Sequence, residues 1–219
     1  MSKILRETVA ERTMAALRRQ ILDRELSPGS SVTEDAMARE MGVSRTTIRQ
    51  AFNTLMVEGL LTRHPSTRIL QVTTLNRDDI TEIYRARRFL ENAGIDASVQ
   101  AEPEEFALLA EAVNDMERAV EVGDLSAFVQ ADYRCHAQTV AFLRSVYLSD
   151  THALLMSKLR LTITQVEGTD ERDSAASLLQ HQQYRDFVLS HDTQKARANL
   201  VQRLAEAEKL VLANIYEKR

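Results

Sequence analysis

The chain has one cysteine, no tryptophan, three prolines and six glycines in 219 residues. A single thiol, Cys135, excludes an intramolecular disulfide framework and suits a reducing compartment. The scarcity of helix breakers, with aromatics at only 5%, favours a helical fold. No apolar run approaches the roughly 20 residues that a membrane-spanning helix needs. The opening stretch MSKILRETVAERTM has no continuous apolar segment of the kind a signal peptide carries. The expectation is a cytoplasmic protein with no membrane partner. Internal repeats and low-complexity segments are also lacking. Apolar residues at 44% suffice for a core, and the length allows one large domain or two smaller ones.

The net charge of -4 is unevenly spread. Residues 1–72 carry 11 basic against 8 acidic side chains, a balance of +3, and the remainder carries 17 against 24, a balance of -7. A mildly basic front and an acidic back hint at a polyanion partner for the front. An imbalance of this size is also common on solvated surfaces, so it needs support from motifs.

In the front segment Val9, Thr13, Ala16, Leu17 and Ile21 recur at helical spacing and predict a helix over about 4–25, ended by Ser27-Pro28-Gly29. Thr33 is placed to cap a short second helix over about 34–40. Glu34 and Asp35 fall in its first turn, where the helix dipole favours acids, and Gly42 suits its left-handed end. Ser44 then caps a third helix whose buried stripe is Ile48, Ala51, Phe52, Leu55 and Met56. Its other face begins with Arg45, Thr46, Thr47, Arg49 and Gln50. Short helix, glycine turn and a second helix opening on arginines and hydroxyls make a helix-turn-helix. Arginine can reach guanine or phosphate, and small hydroxyls bond phosphates without blocking the groove. Residues 60–64 and 68–72 read as two short strands around Pro65-Ser66-Thr67. They form a wing whose Arg63, His64 and Arg68 can touch the DNA backbone. A plain three-helix subdomain with solvated charges explains the Arg45/Arg49 pair as well as DNA binding does, but it does not explain the whole constellation.

The stretch GVSRTTIRQAFNTLMVEGLL, with the upstream PGS…TEDAMAREM, closely resembles the signature of GntR-type bacterial transcription regulators. The resemblance implies a winged helix-turn-helix over 1–72 and DNA contacts at Ser44, Arg45, Thr46, Thr47 and Arg49. Thr47 stands where the family more often has proline. The wing turn HPSTR lacks the usual glycine.

From residue 76 the pattern is helical, with helices expected near 77–100, 104–121, 124–145, 150–166, 172–190 and 193–217. Residues 73–77 then form a linker and 78–219 an all-helical bundle, so the protein as a whole is mainly α. LNRDDITEIYRARRFLENAGIDAS resembles the opening of a FadR-type C-terminal (FCD) effector domain, and GDLSAFVQADYRCHAQTV resembles its metal-bearing helix.

Five ionisable side chains fall on apolar faces of these helices. Arg87 lies among Ile80, Ile83, Tyr84, Leu90 and Gly94. Asp132 and His136 lie among Leu125, Phe128, Val129, Thr139, Val140 and Leu143. His181 sits between Leu178 and Val188, and Arg203 among Ala196, Leu200, Ala207, Leu210 and Val211. Buried ionisable groups are costly unless they meet partners, and convergence would define a polar cavity inside the bundle. One inward histidine is more often a hydrogen-bonded core residue than a ligand, and Asp132/His136 alone is an ordinary i,i+4 pair. Placement of several on separate helices reverses that balance. His152 and His191 show no inward placement, and His191 reads as a loop residue. Cys135 faces away from the Asp132/His136 side and reads as packing.

The resemblance implies a metal site of one Asp and three His, with Asp132, His136 and His181 matching and Arg203 standing where the last His is expected. Asp with neutral imidazoles suits Zn, Ni or Mn, whereas a guanidinium stays charged and repels a cation. The favoured expectation is that Arg203 replaces the metal, neutralising Asp132 or holding an effector carboxylate, with Arg87 as a second anion contact. The alternative is a three-ligand metal site with Arg203 turned toward the effector. The functional expectation is a ligand-responsive transcription regulator, a repressor acting as a homodimer on a palindromic double-stranded operator and sensing a small carboxylate. The rival readings are a metal-dependent enzyme using Asp132, His136 and His181, and a DNA-binding scaffold without an effector. Against the enzyme, the sequence has no nucleophile elbow, no glycine-rich phosphate loop and no evident general base.

Overall fold

The computed structural model describes residues 8–163 and 174–216. Two compact units divide these residues: 8–76 with 157–163, and 77–156 with 174–216.

In the first unit α1 spans Val9–Leu22, α2 Glu34–Met41 and α3 Arg45–Val57. The beginning expected for α1 at residue 4 lies outside the described residues. Within them Thr8 forms a capping box with Glu11, which satisfies two otherwise orphaned backbone donors. Thr33 and Ser44 cap α2 and α3 as their side chains predict, accepting from the Ala36 and Thr47 amides. Gly42 takes the left-handed conformation, φ 65°, that turns the chain between them. The faces of α1 and α3 meet through Leu17, Ile21, Ile48, Phe52 and Leu55, all buried. Arg18 on α1 clasps Glu58 at the end of α3 with a two-pronged ion pair.

The wing is an antiparallel pair, β1 Leu61–Arg63 and β2 Leu70–Val72, in register Leu61 to Val72. Its tip closes without glycine. Arg68 itself takes a left-handed φ of 60°, a conformation that L residues adopt at a cost. His64 Nδ1 accepts the Ser66 and Thr67 amides and holds the turn.

In the second unit the described α-helices are α4 Arg77–Ala97, α5 Pro103–Val122, α6 Leu125–Ala141, α8 Ser174–Leu189 and α9 Thr193–Tyr216, together with residues 146–156 of α7 Val146–Ile163. Left-handed Gly123 ends α5, and Asp124 caps α6. Helices α5, α6 and α8 share the apolar cluster Met116, Ala119, Phe128, Ala131 and Leu178. Helices α4 and α6 approach so closely at Gly94 that a Cβ there would overlap the Thr139 carbonyl. Leu125, expected in the α6 face, is instead 37% exposed beside the cap, and Phe142 is buried at the other end. Among the described residues no helix is long and apolar enough to cross a membrane.

Candidate functional site

On the first unit Ser44, Arg45, Thr46, Thr47 and Arg49 come together at the start of α3. Ser44 is spent locally: its hydroxyl accepts the Thr47 amide at 3.1 Å and lies 2.9 Å from the Thr47 hydroxyl. Arg45 and Arg49 are exposed, and each is held by an acid of α2. Arg49 makes a fork to Glu34, with both N···O distances 2.9 Å. Arg45 Nε lies 2.8 Å from Asp35. Arg68 is exposed at the wing tip, apart from α3 in sequence and fixed by its own backbone turn.

The second site is buried in the helical unit, and it is larger than the sequence suggested. Glu91 on α4 has 0% exposure and is its hub. Its Oε1 accepts Arg87 Nε at 2.9 Å and His152 Nε2 at 3.1 Å, and its Oε2 meets His136 Nδ1 at 2.5 Å. His152, read from the sequence as having no inward placement, is 1% exposed and part of this network. That expectation is corrected, because α7 turns this ring onto the Glu91 carboxylate. Arg87, expected to touch an effector, is engaged with Glu91 and lies over the Tyr84 ring at 5.2 Å.

Protonation follows from these partners. Burial works to raise the Glu91 pKa, but His136, Arg87 and the histidine hydrogen bonds outweigh it and hold it well below the usual carboxylate range. Burial lowers the His136 pKa more than Glu91 raises it. An ionised Glu91 beside a neutral His136 requires Nδ1 to carry the proton, leaving a lone pair on Nε2. His181 reaches the same state by another route. Its Nδ1 donates to the Ser177 carbonyl at 2.7 Å. Burial first, and the Arg203 charge second, push its pKa down to about 4.

Both imidazoles therefore aim Nε2 lone pairs at Asp132. His181 Nε2 lies 2.8 Å from Asp132 Oδ1 without hydrogen-bond alignment, and His136 Nε2 lies 3.7 Å from the same oxygen. The three ligand atoms fall within 4.8 Å of one another. Tetrahedral coordination with bonds of about 2.1 Å needs edges of about 3.4 Å. Electron-rich atoms converging at this spacing are a fitting donor set for a divalent cation such as Zn, Ni or Mn. Glu91 and the Ser177 carbonyl orient the rings from behind, as metal-bound histidines require.

Arg203 on α9 is 6% exposed. Its guanidinium lies over the Tyr184 ring at 4.9 Å, and its Nε donates to Asn199 at 3.0 Å. Among the described residues Nη1 and Nη2 are buried without a hydrogen-bond partner, so Arg203 does not hydrogen-bond Asp132. Two unmet donors on a buried cation are expensive, and their fork matches a carboxylate. Cys135 is fully buried on the same helix as Asp132, and burial pushes its thiol up to about 12, leaving it inert.

Residues 9–70 match the model for the gntR family of bacterial regulatory proteins, and residues 82–206 match the model for the FCD domain. The chain is 36% identical over 132 residues to an uncharacterised HTH-type transcriptional regulator from the TAR-I ttuE-ttuC' intergenic region of Agrobacterium vitis, covering 58% of this chain and 75% of that protein. It is 27% identical over 136 residues to the HTH-type regulator YdhC of Bacillus subtilis, covering 61% of this chain and 60% of that one. A GntR transcriptional regulator from Rhodococcus sp. RHA1 shares the fold, with a TM-score of 0.77 at 24% identity over 93% of this chain and 97% of its own.

Proposed function

Because the chain belongs to the gntR family of bacterial regulatory proteins, in the branch that carries an FCD domain, we propose that its helical unit senses a small carboxylate and passes that signal to DNA. The protein is a DNA-binding transcriptional regulator rather than an enzyme. The observation that supports carboxylate sensing is Arg203, a buried guanidinium whose two terminal nitrogens have no hydrogen-bond partner among the described residues and whose charge acts on His181.

A carboxylate taking two parallel N–H bonds from Nη1 and Nη2 would satisfy both donors at once. Tyr184 and Asn199 hold the guanidinium in place, so little side-chain entropy is lost on binding. Asp132, His136 and His181 would hold a divalent cation, which supplies a second fixed positive charge for the same anion. This favours the three-ligand arrangement, with Arg203 turned toward effector, over replacement of the metal by arginine. Arg87 acts behind the site by anchoring Glu91, which fixes the His136 ring.

The ligand joins α6, α8 and α9, so it stabilises whichever arrangement of those helices closes on it. A ligand that prefers one arrangement shifts the population, and its effect on DNA affinity is reciprocal. We assign the chain a symmetric homodimer acting in the cytoplasm on a palindromic operator, where it represses. The test is a thermal-shift screen of small carboxylates on the full chain, followed by duplex binding with each hit. A true effector at 100 times its Kd stabilises by about 2.7 kcal/mol and changes duplex affinity, and Arg203→Met abolishes both effects. If no carboxylate stabilises the protein, or if the variant responds as the wild type does, the reading is wrong.

A further inference from the structure

The two recognition-helix arginines carry an unusual burden. Arg45 and Arg49 are the cations that α3 offers to DNA, yet each is already paired with a carboxylate from the first turn of α2. Side-chain exposures of 64% and 58% for Arg45 and Asp35, and 59% and 30% for Arg49 and Glu34, put these pairs in solvent. Exposed pairs contribute little to folding stability, and although the helix dipole favours both acids in the first turn of α2, it does not require that each meet an arginine of α3. Their electrostatic effect on a polyanion is larger. Each carboxylate cancels the charge that its arginine would present to a phosphate, leaving the head of α3 close to neutral.

A base edge makes different demands. Guanine offers two acceptors to a guanidinium, and cytosine offers one N4 amine that a carboxylate can accept. The Asp35–Arg45 pair presents both halves of that pattern 2.8 Å apart. An arginine held by an acid is also pre-oriented, so it loses less freedom when it meets a base.

We propose that Asp35, and Glu34 behind it, are specificity-determining residues of the DNA interface. They suppress phosphate-only binding by Arg45 and Arg49, and Asp35 selects a cytosine amine beside the guanine that Arg45 reads. This rests on the DNA-binding reading of the first unit and is independent of the effector site.

The experiment is selection from a randomised duplex pool with the full-length wild type and with Asp35→Asn. Affinity for an unselected random duplex is then measured across a salt series. Both proteins keep the fold, since Asp35 is exposed and Thr33, not Asp35, caps α2. The wild type should select a half-site with cytosine preferred by at least about five-fold at one position. In Asp35→Asn that preference moves to adenine, which asparagine reads. Affinity for random duplex rises about five-fold at 0.15 M salt, because one more cation is free to displace counterions and log K against log salt steepens by about 0.9. Identical selected sites and identical salt slopes in the two proteins would overturn the proposal while leaving DNA binding intact. A wild type that selects no sequence at all would overturn it together with the DNA-binding reading.

Discussion

Glu91→Gln is the substitution whose consequences follow most fully from the geometry. The wild-type carboxylate serves three donors with two oxygens: Arg87 and His152 on Oε1, and His136 on Oε2. Glutamine keeps one oxygen and brings an NH2 group in place of the other. The negative charge that balances the 3%-exposed Arg87 is lost. Removing one partner of a buried pair costs about 3–5 kcal/mol, and the retained amide oxygen puts this case near 3 kcal/mol. A second effect reaches the cation site. The amide oxygen stays with the two donors Arg87 and His152, which sets the NH2 against the His136 Nδ1–H, so the ring either loses that bond or changes tautomer. In the second case the proton moves to Nε2, and the lone pair aimed at Asp132 disappears. Loss of such a supporting group lowers metal affinity about 10- to 100-fold. Urea denaturation in chelator reads the first effect, and zinc titration of the chelator-treated protein reads the second. A stability change below about 1 kcal/mol with unaltered zinc affinity would show that Glu91 is not the hub described.

Gly94→Ala sets two forces against each other. Helix propensity alone would favour alanine by up to about 1 kcal/mol, but the added Cβ meets the Thr139 carbonyl, and forced overpacking costs about 1–3 kcal/mol. A lower urea midpoint is expected, and a higher one would mean that α4 and α6 are further apart. In chelator, acid should destabilise the protein through His181. Its folded pKa of about 4 lies below its ordinary 6.5, so the unfolded chain takes up the proton first as pH falls. Stability is therefore full above pH 6.5 and declines towards pH 4, by up to about 3 kcal/mol. Glu91, also held below its ordinary value, adds a loss at still lower pH. His181→Gln should flatten the decline between pH 6.5 and 4, and an equally steep decline in that variant would refute the assignment.

The local devices of the fold were legible in the sequence because each depends on neighbours within a few residues. Thr33, Gly42 and Ser44 occupy the cap and turn roles their side chains predict, and the wing forms around residues 65–67. Asp132, His136 and His181 also come together as expected, since each lies on an apolar face whose period can be counted. Glu91 was missed for the converse reason. Four residues after Arg87, it reads as half of an ordinary helical ion pair, and only the packing of α4 against α6 and α7 shows that it is buried. The apolar stripe around Leu90 and Gly94 was the available signal. His152 sits in α7, where apolar residues follow no clear period, so no face could be assigned to it. The orientation of Arg203, stacked on Tyr184 rather than reaching Asp132, depends on residues 19 positions apart and has no signature in α9 alone.

The cation site is tested by calorimetric zinc titration of the chelator-treated full-length chain, compared with His181→Ala and Arg203→Met. One ion should bind per wild-type chain, with binding lost in His181→Ala and kept or strengthened in Arg203→Met, where the repelling charge is gone. A wild type and an Arg203→Met variant that both fail to bind zinc, with every chain folded, would contradict the reading of Asp132, His136 and His181 as a cation site.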